Sequence, residues 1–199
     1  MAQLPLGADL GRRRWTHRAL TIRVAESRAD RAIVSDIVLR RHYLRRRATP
    51  PKVLVLSYLA SLGGDGAAAM VQIALLPSNN KPLLAALDLH ACSVLTLTRL
   101  WRADDLDPSV APDLTPFALR QVIRRLPTDW AQKKCANLQA RPRILLTHAD
   151  PGIGHDGATY LSAGAVALGP TRGGKLLFAW PLDETLCAPL RGYAARTRA

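Results

Sequence analysis

The sequence predicts a single α/β domain built on a mixed sheet with a central parallel strand pair flanked by helices. Three observations carry that prediction. The second half of the chain alternates strand, helix, strand and helix, an order that needs right-handed crossovers and sets two parallel strands side by side. Apolar runs at residues 53–59 and 67–76 flank Gly63-Gly64-Asp65-Gly66 as the arms of a hairpin would. The 199 residues, 48% of them hydrophobic, suffice for one full core and are short for two.

Taken in order, residues 1–19 mix Pro5, Gly7 and Gly11 with Arg12, Arg13 and Arg14 and show no period, so they form a poorly ordered basic arm before a domain spanning 20–199. Residues 20–25 alternate as a strand. Ser27 or Asp30 then caps a helix whose apolar positions Ile33, Val34, Ile37 and Val38 carry it to about Tyr43, where it ends among Arg40, Arg41, Arg45, Arg46 and Arg47. The hairpin follows. Residues 83–87 are ambiguous between short helix and coil, and residues 94–101 are a strong strand. Residues 103–115 form an acidic, proline-containing loop. Thr115-Pro116 supplies an N-cap and a first-turn proline for a helix with Leu119, Val122, Ile123 and Leu126 as its buried stripe. Pro127 stops that helix, and Thr128-Asp129 caps another to about residue 139. A strand at 143–147, a short helix at 157–164 and strands near 165–168 and 175–180 complete the series.

The net charge of +13 is the dominant global feature, and it favours a polyanionic partner, nucleic acid first among them, unless the arginines only solvate the surface. Three scattered cysteines exclude a disulfide framework and lack metal-ligand spacing. No run of about 18 apolar residues is present to cross a bilayer. The expectation is therefore a cytoplasmic protein with no membrane association.

Chemistry is densest between Thr147 and Tyr160, where two His, two Asp, three Gly and a Tyr occupy one strand-to-helix junction. In parallel sheets ligands sit at the carboxyl ends of the strands, here residues 99–102 and 148–150. Period-two alternation puts Arg99 on one face with Leu95, Leu97 and Trp101, which requires an anionic partner: Asp150, a substrate or a phosphate. Asp150 stands before Pro-Gly and equally suits a turn initiator. His155 suits a general base and Tyr160 an acid or orienting donor, or each serves the fold alone. His42 and Tyr43 suit stacking on a nucleic-acid strand. His148, Asp150 and His155 match no standard metal pattern, and no metal is expected.

The arrangement resembles the GNAT superfamily of acyltransferases. More narrowly, Arg41-His42-Tyr43-Leu44, Leu97-Thr98-Arg99-Leu100-Trp101, His148-Ala149-Asp150-Pro151, Gly154-His155-Asp156-Gly157, Tyr160 and Gly169 resemble the Mom group of phage DNA-modification proteins over roughly residues 20–180. The resemblance implies a GNAT-like fold, acetyl-CoA as cofactor, and conversion of adenine in DNA to an N6-carbamoylmethyl form as a defence against restriction. It implies Arg99, Asp150, His155 and Tyr160 as catalytic residues. The cofactor would lie along Leu100, Trp101 and Arg102 and at Thr115, and DNA along Arg41, His42, Tyr43, Arg45, Arg46 and Arg47. In one respect the chain departs from the superfamily: residues 103–115 contain no glycine and carry Asp104, Asp105, Asp107 and Asp113 where a diphosphate is usually held. Two further readings remain, an acyl-CoA-dependent N-acyltransferase acting on a small amine or a modified base, and a non-catalytic DNA-binding accessory protein.

Overall fold

The computed structural model describes residues 20–44, 54–63, 66–76, 80–133 and 141–198. The expected basic arm and Arg45, Arg46 and Arg47 lie outside the described residues. Among the described residues seven strands form one sheet, β1 (Leu20–Val24), β2 (Val55–Leu62), β3 (Ala69–Ala74), β4 (Val94–Arg102), β5 (Ile144–Ala149), β6 (Val166–Pro170) and β7 (Leu176–Pro181), in the order β1-β2-β3-β4-β5-β7-β6. All neighbours are antiparallel except β4 and β5, the expected central parallel pair.

Helices cover both faces. On one face, α3 (Ala111–Gln132) and α4 (Ala158–Ser162) meet Tyr58, Val71, Leu95, Leu97, Leu145 and Trp180. The alternate residues face the other way. There α1 (Arg28–Asp36) and the π-turn Ile37–Arg41 pack on Leu59, Met70 and Trp101. On the same face α2 (Lys81–Ala86) and α5 (Cys187–Arg198) pack on Val94, Ile144, Leu146 and Leu177.

Helix α3 differs from its expected form at both ends. It begins at Ala111, one turn before Thr115, because residues 107–110 already turn: Val110 and Ala111 donate to the Asp107 carbonyl, and Leu114 donates to that of Val110. Thr115 is thus an interior, buried position and caps nothing. Nor does Pro127 stop the helix, which runs through it to Gln132. The stripe Leu119, Val122, Leu126, Trp130 continues across the proline at helical spacing, all four buried against the sheet. Trp130 is the one residue of the stripe beyond the proline, and its burial, about 3 kcal/mol, offsets the roughly 3 kcal/mol cost of an interior proline. The second helix expected at 128–139 is in its first turn the end of α3, and residues 134–140 lie outside the described residues. The ambiguous segment at 83–87 is helical as α2, capped by Asn80 accepting from the Leu83 amide. Helix α5, for which the sequence offered no expectation, closes the chain over β6 and β7 with Leu190 and Ala194 buried.

Candidate active site

Strands β4 and β5 pair only at Val94 with Ile144, Leu95 with Leu145 and Thr96 with Leu146. Beyond that point they separate, β4 running on to Arg102 while β5 stays with β7 as far as Ala149. At the apex of the opening the Thr147 hydroxyl donates to the Leu97 carbonyl at 3.3 Å. A cleft of about 450 Å³ lies above it, lined by Leu100, Trp101 and Arg102 of β4, Asp104 beyond it, Thr115 of α3, the segment 154–160, and Arg41, His42 and Tyr43. A smaller cavity of about 70 Å³ at the apex is bordered by Thr98, Arg99, Thr147, His148, His155 and Tyr160 among others.

A bulge decides where Arg99 goes. Leu97 lies opposite Ile73 and Arg99 opposite the adjacent Gln72, so Thr98 has no partner of its own in the ladder, and its hydroxyl bonds to the Gln72 carbonyl at 3.1 Å. The extra residue reverses the alternation. Leu95 and Leu97 face α3, whereas Trp101 packs on the α1 face with Met70, and Arg99 shares that side. The expected common face for Leu95, Leu97, Arg99 and Trp101 is corrected accordingly. Arg99 is buried, and its Nη1 donates to the Thr98 carbonyl at 2.7 Å.

The π-turn brings in the second group. The His42 amide bonds five residues back to Ile37, which widens the helix and swings the imidazole inward, leaving it 3% exposed. Its Nδ1 accepts from the Leu44 amide at 3.2 Å. Burial, then the charge of Arg99, then that of His155, lower its pKa to about 4, against a hydrogen bond to the Leu100 backbone that raises it. His42 is therefore neutral at pH 7. Tyr43 remains 55% exposed, stacked on His42 with ring centroids 4.4 Å apart and edge-on to His155 at 5.0 Å.

The junction after β5 supplies the rest. Asp150 caps a short turn, its carboxylate accepting from the Gly152 amide at 3.1 Å and lying 3.4 Å from Lys175 Nζ. Its carbonyl accepts from the His155 amide and so fixes where His155 sits. Asp156 accepts from the Ala158 amide at 2.9 Å, one residue before Gly157, the N-cap of α4. Gly157 has φ +83° and faces Phe178 so closely that a Cβ would lie 2.1 Å from its Cζ. That contact sets α4 down on the sheet, with the Tyr160 ring against Phe178 and Trp180. Burial raises the Tyr160 pKa, and a hydrogen bond with Thr147 partly offsets the rise.

Of the residues picked out in the sequence, Arg99, His155, Tyr160, His42 and Tyr43 border the apex cavity together. Leu100, Trp101, Arg102, Thr115 and Arg41 line the cleft above it. Asp150 borders neither cavity, and its carboxylate is taken by Lys175 and Gly152 rather than offered to Arg99. Thr98 and Thr147 also border the apex cavity, though neither is among the candidate site residues of the sequence. Thr147, a hydroxyl ending an apolar strand, carried a faint signal; the bulge at Thr98 carried none. Among the described residues no three His, Cys, Asp or Glu side chains converge in a way that could hold a metal ion.

This strand order, with the parallel pair opened between α3 and α4, is the GNAT acetyltransferase fold, and solved structures show the likeness. The aminoglycoside acetyltransferase AAC(6')-Ib with ribostamycin and coenzyme A aligns at a TM-score of 0.55 and 16% identity, over 91% of this chain and 98% of that one. Its complex with an aminoglycoside and acetyl-CoA aligns at 0.54 and 18%, over 91% and 98%. Spermidine N-acetyltransferase from Vibrio cholerae aligns at 0.50 and 8%, over 86% and 98%. No family model matches the sequence, and no curated protein matches it. Among the described residues no helix is long and apolar enough to cross a membrane.

The two ends of the opening differ in chemistry. The edge of β4 beyond Thr96 faces the cleft rather than β5, which suits an extended amide chain. At the start of α3, however, the amides of Ala111, Asp113 and Leu114 already bond to carbonyls at 107 and 110, and Pro112 has none. The cations that line the cleft are Arg41, which also pairs with Asp36, and Arg102, which donates to the Ala111 carbonyl. A diphosphate here would be held by guanidinium side chains rather than by loop amides.

Proposed function

We propose that the protein is a GNAT-type N-acyltransferase that moves an acyl group from a thioester such as acetyl-CoA to an amino group at the apex of the β4–β5 opening. One observation carries this reading: the opening brings Tyr160, Thr147 and His155 around a single cavity that shares His42, Tyr43, His155 and Tyr160 with the cleft above it. The donor supplies an activated carbonyl. The chain supplies an edge strand along residues 97–102 to align it and Arg41 and Arg102 to meet its phosphates. It also supplies two proton-handling groups. His155 stands at the mouth to take the proton the amine sheds as its N–C bond forms. Tyr160, held protonated by burial, gives one to the sulfur released as the C–S bond breaks. His42 has its Nδ1 engaged by Leu44 and a further bond to the Leu100 backbone, and serves to position β4.

The test is release of free thiol from acetyl-CoA in the presence of a panel of primary amines, with the acylated product identified by mass spectrometry. Product with at least one amine, lost in Tyr160→Phe, supports the reading. No thiol release above the protein-free rate with any acceptor overturns it.

A second reading, modification of adenine in DNA, is favoured by Tyr43, an exposed ring between two histidines at the cleft mouth beside Arg41 and a suitable platform for a displaced base. Nucleosides from DNA of cells expressing the protein should then contain a new adenosine derivative by mass spectrometry. Unmodified nucleosides alongside acetylation of small amines would set this reading aside. Salt-sensitive DNA binding without either activity would leave the accessory role.

A further inference from the structure

The sheet face opposite α3 carries a larger cavity, a groove of about 960 Å³ between α2 and α5. Thr96 of β4, Leu146 and His148 of β5 and Leu177 of β7 line it along the sheet, with Tyr193 of α5 beside them. Lys81 and Arg172 also line it, no carboxylate does, and neither cation forms an ion pair among the described residues. The groove is not isolated from the site already described. His148 belongs both to it and to the apex cavity, and the apex cavity shares His42, Tyr43, His155 and Tyr160 with the donor cleft. His148 thus forms part of the wall of both cavities, where β4 and β5 part.

The lining defines what can bind. A polyamine would bring positive charge to Lys81 and Arg172 with no carboxylate to receive it, an arrangement that selects against such a partner. A phosphate ester meets two charge-assisted donors. Leu146, Leu177 and Tyr193 offer apolar and aromatic surface to its organic body. We infer that this groove anchors the acceptor and takes a phosphate ester with an apolar or planar body, its phosphate on Lys81 and Arg172 and its amino group directed past His148 to the apex. Naming the ligand as the acceptor rests on the acyl-transfer reading; the binding chemistry does not.

Binding is measured on the full chain without donor, by titration calorimetry, using adenosine 5′-monophosphate, a short single-stranded oligodeoxyadenylate and spermidine as probes. Both phosphate probes should bind. Lys81→Glu/Arg172→Glu should weaken them about tenfold or more, while the matched reversal Arg124→Glu/Lys133→Glu on the α3 side changes them less than about threefold. The milder Lys81→Gln/Arg172→Gln should weaken binding in the same sense and guards against misfolding of the reversal. Equal affinity for the two phosphate probes assigns the groove to a free ester, and higher affinity for the oligonucleotide assigns it to a strand; either supports the inference. Spermidine binding without phosphate binding overturns it, as does equal weakening by the two reversals. Acyl transfer with no phosphate binding would overturn the groove's role and leave the transfer reading intact, whereas groove-dependent phosphate binding with no transfer to any amine would do the reverse.

Discussion

Arg99 stands opposite Gln72 across the β3–β4 ladder although Leu97, only two residues earlier, stands opposite the adjacent Ile73. The unmatched Thr98 carries Arg99 to the side of the sheet where His42 is buried, and the guanidinium charge holds the imidazole pKa down. Arg99→Gln removes that charge and should raise the His42 pKa above about 4 while burial keeps it below 6.5. A titration of the ring protons by NMR reads this directly. An unchanged value would mean that Arg99 exerts no field on His42.

His42 should also make stability depend on pH. Its folded pKa of about 4 lies below the 6.5 of the unfolded chain, so between these values the unfolded state binds the proton and the folded state does not. Stability contributed by the neutral ring is thus fully present above pH 6.5 and declines as pH falls towards 4, by about 3 kcal/mol at most. In urea unfolding from pH 7 to 4, His42→Gln should show a shallower loss than wild type. Parallel curves would exclude His42 as the source.

Tyr160→Phe keeps the ring against Phe178 and Trp180 and removes only the hydroxyl at the apex. Expected is a fall in kcat of about 10²–10⁴ with little change in KM or melting temperature. Because burial raises its pKa above 10.0, loss of the wild-type rate through Tyr160 ionisation should begin only above that pH. A rate that falls through a group titrating well below 10 would place the acid elsewhere.

Two glycines of the same junction separate strain from collision. Gly154 and Gly157 have nearly equal φ, +80° and +83°, yet a Cβ on Gly154 meets nothing within 4 Å whereas one on Gly157 meets Phe178. Gly154→Ala should cost about 1–2 kcal/mol from the left-handed backbone alone. Gly157→Ala should cost about 2–5 kcal/mol, because ring displacement is added. Equal melting temperatures for the two variants would show that Phe178 yields freely.

Pro127 sits inside α3 between the buried Leu126 and Trp130 and withholds one helical hydrogen bond. Pro127→Ala should stabilise the protein by about 1–2 kcal/mol in urea unfolding. Destabilisation would instead mean that the proline's own packing matters more than the missing bond.

The sequence by itself determined the sheet halves, the hairpin, the central parallel pair and the density of chemistry between Thr147 and Tyr160, because alternation, caps and turn residues act over a few neighbouring positions. It also marked Leu119, Val122 and Leu126 as a buried stripe. Tertiary structure alone decided that α3 passes through Pro127, since the balance depends on what Trp130 buries against. The same holds for α5, whose apolar positions acquire meaning only against β6 and β7. The site divides in the same way. His155 and Tyr160 were visible as residue types, but the face of Arg99 turned on a single unmatched residue whose effect exists only in the pairing of β4 with β3. Asp150 was as visible as its neighbours. Its carboxylate went to Lys175 and the Gly152 amide because the turn after β5 and the approach of residue 175 to that turn place them there, and neither distance is written in the local sequence.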